Sequence, residues 1–266
     1  MVPIAVLLLI LFRTNQFKAT VANSDAKNTN TNLVVDNEQG DNSNFDQSSI
    51  DTAKLQIPIF MYHYIRDLAD QNDTIGQGLS VSPSILAGQL DQIKELGYTT
   101  INFSDLEKGN LPEKPIILTF DDGYQDFFDN AFPQLKKTNN TATVFVIAKR
   151  LNDEYVTKEE IKSLSSQRIE IGSHTLNHPD LTKISAERML SEISESKTIL
   201  ENITGEPVIS FCYPAGKYSE PISLEVKNAG YHFAVTTKPG IADLADSFEL
   251  KRYRITNESN LGRILK

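Results

Sequence analysis

The sequence is poor in several residue types, and each shortage narrows the classes of protein to consider. Its 266 residues include a single cysteine, Cys212, and no tryptophan. One cysteine excludes an internal disulfide framework, so a stable fold has to rest on core packing. Without tryptophan, aromatic contacts with a sugar ring fall to Tyr or Phe. Basic residues are also outnumbered, since 26 Lys and Arg face 35 Asp and Glu and the formal net charge is −9. This argues against a protein that binds the phosphate backbone of nucleic acid, and leaves neutral or cationic polysaccharides open as ligands.

Long apolar runs are also lacking, and the longest candidate lies at residues 2–12. Such a run is too short to span a bilayer as a helix, but it suits the apolar region of a secretory signal. Ala22 ends a small-residue stretch typical of a cleavage site, although Arg13 and Lys18 follow the apolar run instead of preceding it. We therefore expect export, with residues 1–22 a signal peptide or an N-terminal anchor. The mature protein is expected to be secreted or held at the cell surface.

Residues 23–54 are rich in Asn, Asp, Ser, Thr and Gln, with few apolar side chains. Such a segment buries too little apolar surface to offset the entropy of ordering it, so we expect a disordered polar linker. Residues 55–266 remain as one folded domain. With 39% hydrophobic residues over the chain, there is enough material for one α/β core.

In residues 55–266, apolar strand patterns alternate with helical patterns, which predicts parallel βαβ units in a closed barrel or an open doubly wound sheet. Both architectures place their sites at the carboxyl ends of the strands. Strands are predicted at 57–63, 115–120, 143–147, 168–174, 207–212, 231–236 and 250–255, with helices near 83–96, 125–137, 185–204 and 219–228 and a short one after Thr157. Four polar features fall at strand ends: His63, the Asp121–Asp122 pair, His174 and the turn at Tyr213.

The chemistry suggested by these strand ends is metal-assisted hydrolysis. Asp121-Asp122-Gly123 on its own is as consistent with a polar turn as with a site. His174 and His178 stand four residues apart, and two imidazoles with one carboxylate form a ligand set that leaves metal positions open for water and substrate. Either aspartate can supply the carboxylate, and the other is then free to act as a base. A backbone N–H from the turn at 211–216 would stabilise an oxyanion, as amide or ester hydrolysis requires.

Two motifs carry a family resemblance. Thr119-Phe120-Asp121-Asp122-Gly123 and His174-Thr175-x-x-His178 resemble the signature of the polysaccharide deacetylases (NodB homology, carbohydrate esterase family 4), over about residues 55–266. The resemblance implies a distorted (β/α) barrel and a divalent metal, usually zinc. It implies that Asp122, His174 and His178 hold the metal and that Asp121 is the general base. Members of the family remove N-acetyl groups from GlcNAc polymers or O-acetyl groups from xylan.

The third family motif departs from its usual form. Where the family generally has Arg-Pro-Pro-Tyr-Gly, this chain has Cys212-Tyr213-Pro214-Ala215-Gly216. Cys212 therefore stands where an arginine normally orients the catalytic aspartate, and we predict that Arg252 or Arg254 substitutes for it. The Ala215 amide is expected to take the oxyanion role, with Tyr213 and Pro214 in the same substrate-facing turn.

A second departure concerns the general acid, since no histidine follows His232. His63, in Met61-Tyr62-His63-Tyr64-Ile65, resembles the N-terminal histidine of a branch with rearranged motif order. That branch includes the extracellular poly-β-1,6-N-acetylglucosamine deacetylases. We predict that His63 is the acid, the alternative being a packing histidine at the barrel rim, and that His232 is structural or solvent-facing.

These features together predict an exported, monomeric, zinc-dependent N-deacetylase of a GlcNAc polysaccharide, with poly-β-1,6-N-acetylglucosamine favoured. Membrane association would run through the N-terminal segment. Two alternatives use the same residues: a peptidoglycan GlcNAc deacetylase and an acetylxylan esterase. A third is a carbohydrate-binding protein with a degenerate site, which the replaced arginine keeps open.

Overall fold

A computed structural model describes residues 55–266 apart from Gln71 and Asn110, all within one compact unit. The predicted signal or anchor (1–22) and linker (23–54) lie outside the described residues. In the described part of the chain, no helix combines the length and apolar character needed to cross a membrane.

A curved parallel sheet forms the centre of the fold. Its strands are β2 Ile59–Tyr62, β5 Thr99–Ile101, β6 Pro115–Phe120, β7 Ala142–Val146, β8 Ile169–Ser173, β9 Ser210–Cys212, β10 Phe233–Val235 and β12 Tyr253–Arg254. They follow one another in the order β10, β9, β8, β7, β6, β2, β12, and β5 pairs with the first half of β6; every one of these pairs is parallel. Two small pairs lie outside it: β1 (Gln56–Ile57) with β11 (Ala242–Asp243), and β3 (Tyr64–Ile65) with β4 (Ser80–Val81).

Residues 250–255 connect the two edges of this sheet. The Thr236 N–H, just after β10, donates to the Leu250 carbonyl at 2.9 Å. Five residues later, the Ile255 N–H donates to the Met61 carbonyl in β2 at 3.0 Å. The sheet is thereby curled into the distorted (β/α) barrel that the sequence predicted, and the fold prediction is confirmed. The same short segment carries both Arg252 and Arg254.

Helices cover the outside of the sheet, and most begin where the sequence predicted. Ser82, Thr157 and Ser185 each accept an N-terminal backbone N–H as helix caps, and Gly205 ends the longest helix in the left-handed conformation, with φ 75°. The bounds are α1 Thr74–Gln77, α2 Pro83–Glu95, α3 Phe103–Lys108, α4 Phe132–Lys137, α5 Lys158–Ser165, α6 Ala186–Thr204, α7 Glu220–Asn228 and α8 Leu261–Ile264.

Three local differences from the predicted elements have identifiable causes. The helix predicted at 125–137 contains a π-helical turn, Phe127–Ala131, which ends two residues before Pro133, a residue with no N–H to donate. The strand predicted at 207–212 starts only at Ser210, because the Val208 N–H donates to the Glu201 carboxylate instead of a strand. The short β5 and α3 were missed, although α3 carries a capping box between Asn102 and Asp105.

The central strands are buried on both faces, with alternate side chains in different clusters. Ile117 and Phe145 belong to the smaller hydrophobic cluster. Leu118 and Val144 belong to the larger cluster, which includes the buried faces of the helices. Because side chains alternate along a strand, Asp121 continues the Ile117 face beyond the end of β6. The first of the two adjacent aspartates is therefore directed to the face that the curled sheet encloses.

Candidate active site

The polar strand ends predicted from sequence meet at one end of the sheet. His63 follows β2, the two aspartates follow β6, and His174 follows β8. The His63 Nε2 lies 3.8 Å from an Asp121 oxygen, and the His174 Nε2 lies 3.5 Å from an Asp122 oxygen. The carboxyl ends of parallel strands thus form the site, as the fold class requires.

The first half of the site is a three-residue donor set. The Asp122 Oδ1 lies 3.5 Å from the His174 Nε2 and 3.6 Å from the His178 Nε2. The His174 Nδ1 is 2.8 Å from the Cys212 carbonyl oxygen, so it is the protonated nitrogen and Nε2 carries the free lone pair. Burial, together with the neighbouring His174 ring, lowers the pKa of His178 to about 4, which favours the neutral imidazole that binds metal. Two imidazole nitrogens and a carboxylate converging in this way fit a divalent cation.

Left-handed backbone conformations position these ligands. Asp122, Thr175 and His178 have φ values of 71°, 66° and 62°, which are uncommon outside glycine. Such strain persists only where surrounding contacts stabilise it, and it concentrates at functional sites. The His178 N–H donates to the Thr175 hydroxyl at 2.9 Å and closes the turn at residues 174–178, which we call the histidine turn.

A buried carboxylate from helix α6 holds the same turn. Glu192, 2% exposed, accepts the N–H groups of Leu176 and Asn177 at 3.0 and 2.8 Å, and the Asn177 side-chain amide at 2.9 Å. Sequence reasoning missed this residue. The available signal was an acidic side chain on the apolar face of an amphipathic helix, which has to be hydrogen-bonded when it is buried.

The second half of the site is Asp121 with its counterion. The Arg252 Nη1 and Nη2 donate to the two Asp121 oxygens at 2.7 and 2.8 Å, and both side chains are buried. Arg252 also donates to the Thr119 hydroxyl and the Thr236 carbonyl, each at 2.9 Å. Burial by itself would raise the pKa of Asp121, but the guanidinium holds that pKa well below its usual range. Asp121 is therefore ionised and fixed in orientation.

The other predicted substitute, Arg254, does not make this contact. It is exposed, and no ion pair between it and Asp121 occurs in the described part of the chain, so Arg252 is the one of the two predicted arginines that contacts Asp121. Arg252 precedes β12 and its guanidinium is enclosed beside Cys212, whereas Arg254 lies in β12 and is exposed. The Cys212 Sγ is 3.3 Å from the Arg252 Nη2 and 3.6 Å from an Asp121 oxygen. A small side chain at position 212 leaves the space that Arg252 fills.

His63 faces Asp121 and is not part of the three-residue donor set. Its side chain is 13% exposed, and its Nδ1 is buried with no hydrogen-bond partner among the described residues. Burial lowers the pKa of His63, and the nearby Asp121 carboxylate acts in the opposite direction. His232, in contrast, is half-exposed and lies 2.6 Å from a Glu107 oxygen, away from the site.

Comparison with known proteins identifies the family. A polysaccharide deacetylase family profile matches residues 108–234. YxkH of Bacillus subtilis, which is assigned to the polysaccharide deacetylases, is 31% identical over 208 residues, covering 76% of this chain and 72% of YxkH. The chain belongs to the polysaccharide deacetylase family. The solved structure of the deacetylase PplD of Streptococcus pyogenes, in complex with acetate, superimposes with a TM-score of 0.74 at 31% identity, over 80% of this chain and 99% of the PplD chain.

The family assignment makes the chain a hydrolytic deacetylase, but it does not confirm the predicted branch. The peptidoglycan-N-acetylmuramic acid deacetylase PdaA of B. subtilis is 32% identical over 143 residues, with 53% of each chain covered. The poly-β-1,6-N-acetyl-D-glucosamine N-deacetylase of Escherichia coli is 24% identical over 251 residues, and the match covers 36% of that enzyme. The chain thus spans about half of PdaA and about a third of the E. coli enzyme.

The third deacetylase motif forms a tight turn beyond β9. Pro214–Gly216 is a single 3₁₀ turn in which Ala215 is exposed and has a left-handed φ of 52°. Tyr213 is buried, and its hydroxyl donates to the Phe248 carbonyl at 3.1 Å. Buried Tyr213 and Pro214 therefore anchor the turn. The predicted oxyanion role of Ala215 stays a prediction.

Proposed function

We propose that the protein is an N-deacetylase that hydrolyses N-acetyl groups on a GlcNAc-containing extracellular glycan, with zinc as its metal. The pairing of Asp121 with Arg252 beside the donor set of Asp122, His174 and His178 is the observation that carries the proposal. It supplies an ionised, oriented carboxylate next to a cation site, which a degenerate binding protein would not need. The apolar run at residues 2–12 supports an extracellular location.

Two glycans are candidates. A peptidoglycan-type strand is supported by the resemblance to PdaA, whose name specifies peptidoglycan. Poly-β-1,6-N-acetylglucosamine is supported by the position of His63 beside Asp121, since the N-terminal histidine is what linked the sequence to that branch. Acetylxylan, an ester substrate, is the third glycan to test because the same residues would serve it.

The chemistry divides among the residues of this chain as follows. Asp122, His174 and His178 would hold a divalent metal, which would polarise the acetyl carbonyl and make water more acidic. Asp121 accepts the proton of the attacking water, and Arg252 keeps its carboxylate directed at that water. His63 donates a proton to the departing amine nitrogen, since it is the titratable group next to Asp121. The Ala215 N–H stabilises the negative oxygen of the tetrahedral intermediate.

Acetate release from defined polymers tests the proposal. The purified protein, loaded with zinc, would be incubated with β-1,4- and β-1,6-linked GlcNAc oligomers, peptidoglycan glycan strands and acetylxylan. We expect acetate from at least one N-acetylated glycan and its loss on chelation. Asp121→Asn should retain stoichiometric metal without turnover, whereas Asp91→Asn, the same change on the exposed surface of α2, should behave as wild type. A fully metallated protein that releases no acetate from any N-acetylated glycan would contradict the proposal.

A further inference from the structure

Three tyrosines form a stacked ladder beside the site. The Tyr64 and Tyr124 rings are stacked with centroids 3.9 Å apart, and the Tyr124 and Tyr155 rings with centroids 5.2 Å apart. Tyr64 directly follows His63, and only Gly123 separates Tyr124 from Asp122. The ladder therefore lies beside the proposed acid, His63, and a metal-ligand candidate, Asp122, and forms a wall of the site.

An arginine covers each end of this ladder. The Arg66 guanidinium carbon lies 3.6 Å from the centroid of the Tyr64 ring. At the other end, the Arg150 Nη1 donates to the Tyr155 hydroxyl at 3.1 Å, and its guanidinium carbon lies 5.7 Å from the ring centroid. Both faces of Tyr64 and Tyr124 are thus occupied, so these rings support the arginines and do not offer a free face to a sugar.

Arg150 also touches the turn that carries the histidines. Its Nη2 lies 3.5 Å from the carbonyl oxygen of Asn177, the residue directly before His178. Arg150 lies four residues after Val146, the last residue of β7. In the sheet, β7 is the strand between β6 and β8. Its guanidinium is consequently held beside the candidate metal site by the ladder on one side and the histidine turn on the other.

The charge of Arg150 has no acidic partner. In residues 55–266, the described ion pairs include none that involves Arg150, even though the chain has 35 acidic and 26 basic residues. Its contacts are to neutral acceptors, a phenol and a carbonyl, which leave most of its five N–H donors free. The side chain is exposed. An anchored, unpaired guanidinium of this kind matches the geometry of a carboxylate or phosphate.

We propose that Arg150 binds an anionic group, a carboxylate or a phosphate, on the sugar unit adjacent to the N-acetyl group that is hydrolysed. The enzyme then prefers an anionic glycan to a neutral GlcNAc polymer. The proposal rests on the N-deacetylase function and adds the substrate class. Arg150 acts in binding, not in the chemical step, so its contribution is a preference between substrates.

The test compares substrates that differ only in charge. One pair is glycan strands of alternating GlcNAc and N-acetylmuramic acid with free lactyl carboxylates, and the same strands with these carboxylates converted to methylamides. A second pair is a GlcNAc oligomer with and without 6-phosphate groups. The measured quantity is the ratio of kcat/KM for the charged over the neutral partner. The pair with the larger ratio identifies whether a carboxylate or a phosphate is recognised.

We expect the wild-type ratio to be at least about tenfold for one pair and to fall as salt rises. Arg150→Gln should bring this ratio close to one, mainly through KM, and remove its salt dependence. Unchanged metal content would show that the histidine turn is intact in this variant. Arg150→Lys should keep part of the ratio because it keeps the charge. Arg168→Gln is the matched control, since this exposed arginine precedes β8 and lies at the far end of the strand from His174.

The outcomes separate the two proposals. A wild-type enzyme that deacetylates charged and neutral partners equally well, or an Arg150→Gln enzyme with an unchanged ratio, would overturn the role of Arg150 and leave the N-deacetylase function standing. A wild-type enzyme that releases acetate from none of the glycans would overturn the proposed function itself.

Discussion

Replacing Arg252 by glutamine removes the guanidinium that contacts both oxygens of the buried Asp121 carboxylate. In the native structure the guanidinium is fully buried and makes two bonds to Asp121, at 2.7 and 2.8 Å, and one each to Thr119 and Thr236. Breaking a buried pair by removing one partner costs about 3–5 kcal/mol, because the remaining charge is left without compensation. We expect Arg252→Gln to lower the free energy of unfolding by about that amount.

The same substitution should change the pH dependence in a defined direction. Burial raises the pKa of Asp121 and the guanidinium lowers it, with a net decrease in the native protein. The pair therefore stabilises the native state above the pKa of Asp121 in the unfolded chain, and this stability is lost as pH falls through the lower native pKa. Without the guanidinium, burial dominates and the pKa of Asp121 rises. The acidic limb of kcat/KM should then move to higher pH, where the base is protonated.

A double-mutant cycle measured by urea unfolding separates the ion pair from general damage to the core. We expect Asp121→Asn combined with Arg252→Gln to be more stable than Arg252→Gln alone, because no unpaired carboxylate remains. The coupling energy should exceed about 1 kcal/mol for contacting charges. Arg252→Lys should keep part of the stability and less of the activity, since it cannot make the bidentate contact. A loss below about 1 kcal/mol for Arg252→Gln, or an unmoved acidic limb, would refute this reasoning.

Three further substitutions test separate parts of the structure. Glu192→Gln should weaken metal affinity about 10- to 100-fold, because an amide oxygen cannot accept all three donors of the histidine turn; unchanged affinity in a metal titration would assign Glu192 to packing alone. His63→Gln should reduce kcat while metal content stays stoichiometric, and loss of metal would make His63 a ligand instead. Asp126→Asn tests a buried carboxyl whose Oδ1 has no hydrogen-bond partner in the described chain. Burial raises the pKa of Asp126 to about 6 from 3.8, so the native state binds a proton that the unfolded chain releases, and stability falls as pH rises from about 4 to 6. The asparagine variant should therefore gain up to about 3 kcal/mol above pH 6 and little at pH 4 in thermal unfolding; an equal effect at both pH values would contradict the role of this ionisation.

Much of the fold could be predicted because local patterns and tertiary structure agree along most of the chain. Strand β6 combines a run of apolar residues with a glycine turn, and α6 has both a cap at Ser185 and a stop at Gly205. The elements that were missed are short. β5 and α3 have too few residues to show a recognisable periodicity, so their sequences do not identify them. The tertiary environment stabilises them instead.

For the site, sequence alone determined which residue types meet at the strand ends, since two motifs and the parallel-strand rule place Asp121, Asp122, His174 and His178 together. Tertiary structure alone decided the supporting contacts. Arg252 and Arg254 are two residues apart in the segment 250–255, and only the closure of the sheet shows that the first is enclosed against Asp121. Glu192 and Arg150 reach the histidine turn from a separate helix and strand end. Such contacts join residues distant in sequence through packing geometry, which no local pattern encodes.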